Sequence, residues 1–87
     1  MKKIDFRKVK IQLTFEGHPV EMDIRKAFGN IIHQNTADLG VDELARKIYF
    51  SDGEVEIPEE YISILLDISS RNMNVPAQNA IRELLEK

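Results

Sequence analysis

Between Val9 and Ile24 the sequence alternates apolar and polar residues, and it then changes to a helical period. Apolar side chains recur at every second position in two runs: Val9, Ile11, Leu13 and Phe15, then Val20, Met22 and Ile24. The segment between them, Glu16-Gly17-His18-Pro19, has turn chemistry because glycine tolerates positive φ and proline fixes φ. The pattern predicts an N-terminal β-hairpin with one apolar face, which the rest of the chain must cover.

Helical spacing follows the hairpin. The first apolar stripe consists of Ile24, Ala27, Phe28, Ile31 and Ile32, and the second of Val41, Leu44, Ala45, Ile48 and Tyr49. Both have the i, i+3, i+4, i+7, i+8 spacing of an amphipathic helix. Asp23 is the expected N-cap of the first helix. Two further helices are predicted, one from Pro58 through Ile68 and one over roughly residues 76–86.

The acidic stretch FSDGEVEIPEE, residues 50–60, is the segment that most resembles a functional site. Read as a calcium-binding loop from Asp52, it has glycine at position 2 instead of 6, and Ser63 stands where the bidentate acid belongs. A structural role explains it better. Ser51-Asp52-Gly53 is expected to end the preceding helix, with Gly53 free to take a left-handed conformation. Residues 54–57 are expected to form a short strand with Val55 and Ile57 inward.

Composition and motifs give no support for chemistry. The 87 residues make one domain, residues 1–87, without cysteine. His18 and His33 lack zinc-ligand spacing, and no nucleophile elbow or phosphate-binding glycine pattern occurs. We therefore assign no catalytic, cofactor-binding or metal residues, no cofactor and no small-molecule substrate, and expect a protein that is not an enzyme. Without a signal peptide or an apolar run of roughly 18 residues, we expect a cytoplasmic protein with no membrane contact.

Charge is distributed unevenly, and the basic N-terminus supports an alternative function. Nucleic-acid binding would use Lys2, Lys3, Arg7, Lys8 and Lys10. The stretch GVDELARKI, residues 40–48, resembles the first helix of a helix-turn-helix domain. The following SDGEVEIPEE stands where a basic recognition helix belongs, and its charge repels phosphate. Nucleic-acid binding is therefore the less favoured reading.

A resemblance extends over more of the chain. The hairpin, the segment DELARKIYFSDGEVEIPEEYISILLDI and the closing AIRELLEK resemble small uncharacterised proteins carried by bacterial prophages and other mobile elements. The resemblance implies a noncatalytic protein that acts in phage assembly or regulation through protein contacts. It implies no particular functional residues.

Together these observations predict an α+β fold, in which an N-terminal β-hairpin packs against three or four α-helices and residues 54–57 add a third short strand. The predicted function is a small intracellular protein–protein interaction or assembly module. Its partner is another protein or a second copy of the chain, since an unpaired hairpin edge exposes backbone groups through which a homodimer can form.

Overall fold

A computed structural model describes residues 1–86, and its fold is α+β. In chain order the elements are β1 (Lys2–Asp5), β2 (Val9–Ile11), β3 (Val20–Met22), α1 (Arg25–Gln34), α2 (Leu39–Tyr49), β4 (Glu54–Ile57), α3 (Glu59–Asn72) and α4 (Val75–Glu86). The strands form two separate two-stranded antiparallel sheets, β1 with β4 and β2 with β3. The prediction of a hairpin, a short strand at 54–57 and three or four helices is confirmed, and the described chain has four helices.

The first sheet pairs β1, the first strand in the chain, with β4, the last strand. Ile4 of β1 lies opposite Val55 of β4, and Lys3 lies opposite Glu56. The sequence pattern assigned no strand to residues 2–5, because a strand so short and so rich in lysine has little recognisable alternation. Ile4 and Phe6 are nevertheless buried, and they place the first residues of the chain against the core.

The hairpin is shorter than predicted. Val9 pairs with Met22 and Ile11 with Val20, and the ladder stops there. Continuing this register would place Pro19 opposite Gln12, and proline has no N–H to donate to a neighbouring strand. Leu13 and Phe15 therefore do not extend β2 or face the core, which corrects the expectation of a fully covered apolar face. Leu13 is half exposed and Phe15 is completely exposed.

The helices build the core against the two small sheets. Its buried apolar residues are Ile4, Phe6, Val9, Ile11, Ile24, Phe28, Ile32, Val41, Leu44, Ala45, Ile48, Val55, Ile57, Leu65, Ile68, Ala80, Ile81 and Leu85. Helices α1 and α2 pack closely, and a Cβ on Gly29 would stand 2.9 Å from the Cβ of Tyr49. Glycine at position 29 is thus explained by close packing between two helices.

Two local expectations, the Asp23 N-cap and the burial of Ala27, are wrong. Helix α1 has Ile24 at its N-cap position, with Asp23 one residue earlier, and Ala27 of the predicted apolar stripe is exposed. Gly53 does not adopt a left-handed conformation, since no residue of the described chain has positive φ. Ser51 instead satisfies the end of α2, because its backbone N–H and its hydroxyl both donate to the carbonyl oxygen of Ile48.

Candidate functional site

Exposed apolar side chains are concentrated in the hairpin. We call residues 12–22 the hairpin arm. Among residues 1–86, eight large apolar side chains are exposed, and four of them lie in this arm: Leu13 at 50%, Phe15 at 107%, Val20 at 45% and Met22 at 40% exposure. Isolated exposed apolar residues are normal on a protein surface, but a cluster of them is typical of an interaction site.

The pairing of β2 with β3 explains how the arm presents these side chains. Directly opposite residues of an antiparallel pair project from the same face of the sheet. Val9 and Ile11 are buried, whereas their partners Met22 and Val20 are partly exposed. The apolar face of the hairpin therefore runs continuously from the core to the surface, and it ends at β3.

Local hydrogen bonds shape the tip of the arm. The side-chain amide of Gln12 donates to the carbonyl oxygen of Thr14 at 2.8 Å and to that of Gly17. A Cβ on Gly17 would also collide with the hydroxyl of Thr14. Phe15 lies between these two acceptors in the chain. The Gln12 side chain therefore organises the tip, and the Phe15 ring remains in solvent.

The arm is also acidic and has an open edge. Residues 12–22 include Glu16 and Glu21 and no lysine or arginine. Glu21 lies opposite Lys10 on the face of the hairpin away from Val20 and Met22.

Within the described chain β3 pairs only with β2, whereas β2 also contacts α4. The outer edge of β3 thus has backbone groups available for another strand.

The acidic stretch after α2 forms strand β4 and the first turn of α3. Val55 and Ile57 are buried while Glu54 and Glu56 face solvent, which confirms the predicted orientation. Glu59 and Glu60 lie in the first turn of α3, where carboxylates interact favourably with the helix dipole. Residues 1–86 contain no group of three or more histidine, cysteine, aspartate or glutamate side chains positioned to hold a metal ion.

The five basic residues of the nucleic-acid alternative do not form one cationic face. Lys2 and Lys3 are successive strand residues and so project to opposite faces of the first sheet. Lys3 lies opposite Glu56 and Lys10 opposite Glu21. The Arg7 guanidinium binds both carboxylate oxygens of Asp5, at 3.0 and 2.9 Å.

Lys8 is exposed, and it is the one of the five for which neither an opposing strand residue nor a carboxylate contact is described. Among residues 1–86 the five basic side chains are dispersed over the two sheets and the turn between β1 and β2, and Arg7 is engaged by Asp5. This dispersion weakens the electrostatic basis of phosphate binding.

Two Asp-x-Arg turns account for the most perturbed ionisable groups. Each aspartate accepts from the backbone N–H and the guanidinium of the arginine two residues later, in Asp5–Arg7 and Asp23–Arg25. Hydrogen bonding from Arg7 lowers the pKa of Asp5 to about 2, and Arg25 lowers the pKa of Asp23. Arg25 also donates to the carbonyl oxygen of Ser51. These charges connect segments of the fold and are not gathered around a cavity.

A solvent-open cleft of about 260 Å³ lies between α1 and α2. His33 faces solvent, as predicted, and its Nδ1 lies 2.5 Å from Oδ1 of Asp42 at the cleft. Arg46 and the Tyr49–Phe50 ring pair, with centroids 4.7 Å apart, complete its lining together with Gly29, Asn30 and Ala45. No sequence pattern predicts this cleft, because its residues come from two helix faces that only the packing brings together.

Comparison of the chain with protein-family models, with curated proteins and with solved structures finds no match. Among residues 1–86, none of the helices combines the length and the apolar character that crossing a membrane requires. The hairpin arm is the most distinctive feature of the described surface.

Proposed function

We propose that this protein is a noncatalytic protein–protein interaction module that binds its partner through the hairpin arm. The observation that supports the proposal is the concentration of exposed apolar side chains in the arm, with Phe15 completely exposed at its tip. Val20 and Met22 of the arm continue the apolar face of a sheet whose inner part, Val9 and Ile11, belongs to the core. A partner that covers the arm would extend that core across the interface.

The energetics of the arm favour this role over a purely structural one. Fully burying a leucine or phenylalanine side chain stabilises a protein by roughly 1.5–3 kcal/mol. Phe15 contributes none of this to folding because it remains in solvent, and Leu13, which is half exposed, contributes only part of it. The same free energy is available to an association that buries them. A compact aromatic anchor near the centre of a contact surface is also typical of binding hot spots.

Site-specific photo-crosslinking tests the proposal in cells that naturally produce the protein. A photoreactive phenylalanine analogue is placed at position 15, and in a control at position 39, where Leu39 is also strongly solvent-exposed, at 86%, but lies in α2. We expect a defined protein adduct from position 15, and expect the purified partner to bind the wild-type chain. Equal adducts from both positions, or a purified adduct protein without affinity for the chain, would contradict the proposal.

The expected prophage origin and cytoplasmic location belong to the same proposal. A module of phage assembly or regulation is expected to be encoded beside capsid, tail or repressor genes, and to be recovered in the cytosolic fraction of its host. A gene that lies consistently outside mobile elements would remove the phage context. That result would not bear on binding through the arm, which the crosslinking experiment tests separately.

A further inference from the structure

We infer that the arm's partner supplies an extended strand that pairs with the open edge of β3 and alternates apolar with basic side chains. This inference rests on the proposed function and specifies the chemistry of the partner. An added strand uses the backbone groups of an exposed edge for affinity, and its alternate side chains for specificity.

The two faces of β3 define the two kinds of side chain. Val20 and Met22 project from the apolar face, and Glu21 projects from the other. A strand laid beside β3 would place apolar residues next to Val20 and Met22, burying the partly exposed side chains. The residue between them would lie beside Glu21, where a lysine or arginine forms a favourable cross-strand pair.

The charge of β3 also selects against a second copy of the chain. A two-fold antiparallel pair that uses all three residues of β3 places Val20 opposite Met22 and Glu21 opposite Glu21 of the other copy. Like charges directly opposite each other destabilise a strand pair, and a charged residue on an edge strand is a common protection against self-association. Pro19 limits the edge further by removing a donor just before β3. The homodimer expected through the hairpin edge is therefore disfavoured relative to a basic partner strand.

A charge-exchange titration tests the inference with defined probes. The probes are two blocked nine-residue peptides that alternate valine with lysine or valine with glutamate. The protein is the 15N-labelled full chain, either wild type or Glu21→Lys. We expect the lysine peptide to shift the backbone amide signals of residues 20–22 in the wild type. We expect Glu21→Lys to lower the affinity for the lysine peptide up to about fivefold, and to raise the affinity for the glutamate peptide by a similar factor.

The control variant is Glu43→Lys, which makes the same change in net charge on the exposed surface of α2. It should leave the peptide preference unchanged. The inference is overturned if the lysine peptide at millimolar concentration leaves the β3 amides unshifted, or if Glu43→Lys alters the preference as much as Glu21→Lys does. Either result rejects the strand partner but not the binding role of the arm, because the crosslinking at position 15 assumes no strand pairing.

Discussion

The backbone N–H of Ile24 donates a hydrogen bond of 2.9 Å to the carbonyl oxygen of Phe6. The bond joins the centres of two turns with the same pattern, Asp5-Phe6-Arg7 and Asp23-Ile24-Arg25, in which each arginine binds the aspartate two residues before it. Phe6 and Ile24 are both buried. The charged residues on either side thus hold the turns in shape while the central residues anchor β1 and α1 to the core.

The two turns predict a loss of stability in acid. Arg7 lowers the pKa of Asp5 from 3.8 to about 2, and Arg25 lowers the pKa of Asp23 in the same direction. The unfolded chain therefore binds more protons than the folded chain between pH 3.8 and about 2. The stabilisation is present above this window and disappears as the pH falls through it.

Urea unfolding measured from neutral pH to pH 2 should show this loss, and it should be smaller in Arg7→Gln. Because the pairs are solvent-accessible, about 1 M salt should reduce the difference between the variant and the wild type. Lys47→Gln, on the exposed surface of α2, is the control with the same charge change. Identical pH profiles for the wild type and Arg7→Gln would show that the turn does not contribute.

Gly29→Ala should destabilise the fold, although alanine is the better helix former by roughly 1 kcal/mol. The new Cβ would stand 2.9 Å from the Cβ of Tyr49 and 3.1 Å from the carbonyl oxygen of Ala45. Forcing α1 away from α2 costs on the order of 1–3 kcal/mol. Chemical denaturation measures the change. Gly53→Ala is the matched control, since its Cβ meets nothing within 4 Å; a stabilising Gly29→Ala would disprove the close packing.

Asp38 should be an important helix cap. Its Oδ1 accepts from the backbone N–H groups of Gly40 at 2.7 Å and Val41 at 3.2 Å, at the start of α2. Asp38→Ala is expected to lower the free energy of unfolding by about 0.5–2 kcal/mol, and Asp38→Asn to retain most of the stability. Equal losses in the two variants, measured by denaturant titration, would argue for a role of the charge and against the cap.

The acidic stretch should reveal its structural role through its apolar residues. Ile57 is completely buried where β4 meets the core, and Glu54 of the same strand is exposed. Ile57→Ala should cost about 2–5 kcal/mol, whereas Glu54→Gln should change the free energy of unfolding by less than about 0.5 kcal/mol. A larger effect from Glu54→Gln than from Ile57→Ala, in parallel denaturation curves, would show that the acidic residues, and not the apolar ones, stabilise this stretch.

The sequence predicted the elements whose signals are local and long. Helix α2 has a complete apolar stripe from Val41 to Tyr49, and the observed helix, Leu39–Tyr49, agrees with that stripe. Strand β1 was missed because only its pairing across the chain, Ile4 with Val55, makes residues 2–5 a strand. Such a long-range contact is invisible in a window of four residues.

The candidate site could likewise be predicted only in part, because its exposure depends on contacts between distant segments. Alternation at Leu13 and Phe15 predicted burial, but alternation records only which residues share a face and not whether another element covers that face. Pro19 was the available signal, because a residue without an N–H ends the ladder where the register places it opposite Gln12. The cleft between α1 and α2 had no comparable signal, since it depends on the packing of two helices.

Binding through Phe15 of the hairpin arm is tested most directly by the dissociation constant of the partner identified by crosslinking. Titration calorimetry measures it for the wild type, Phe15→Ser and Leu39→Ser. Both substituted side chains are exposed, so both variants should unfold within about 0.5 kcal/mol of the wild type. We expect Phe15→Ser to weaken binding at least about tenfold, as for a hot-spot anchor, and Leu39→Ser to bind like the wild type. Wild-type affinity in Phe15→Ser would show that the arm is not the binding site.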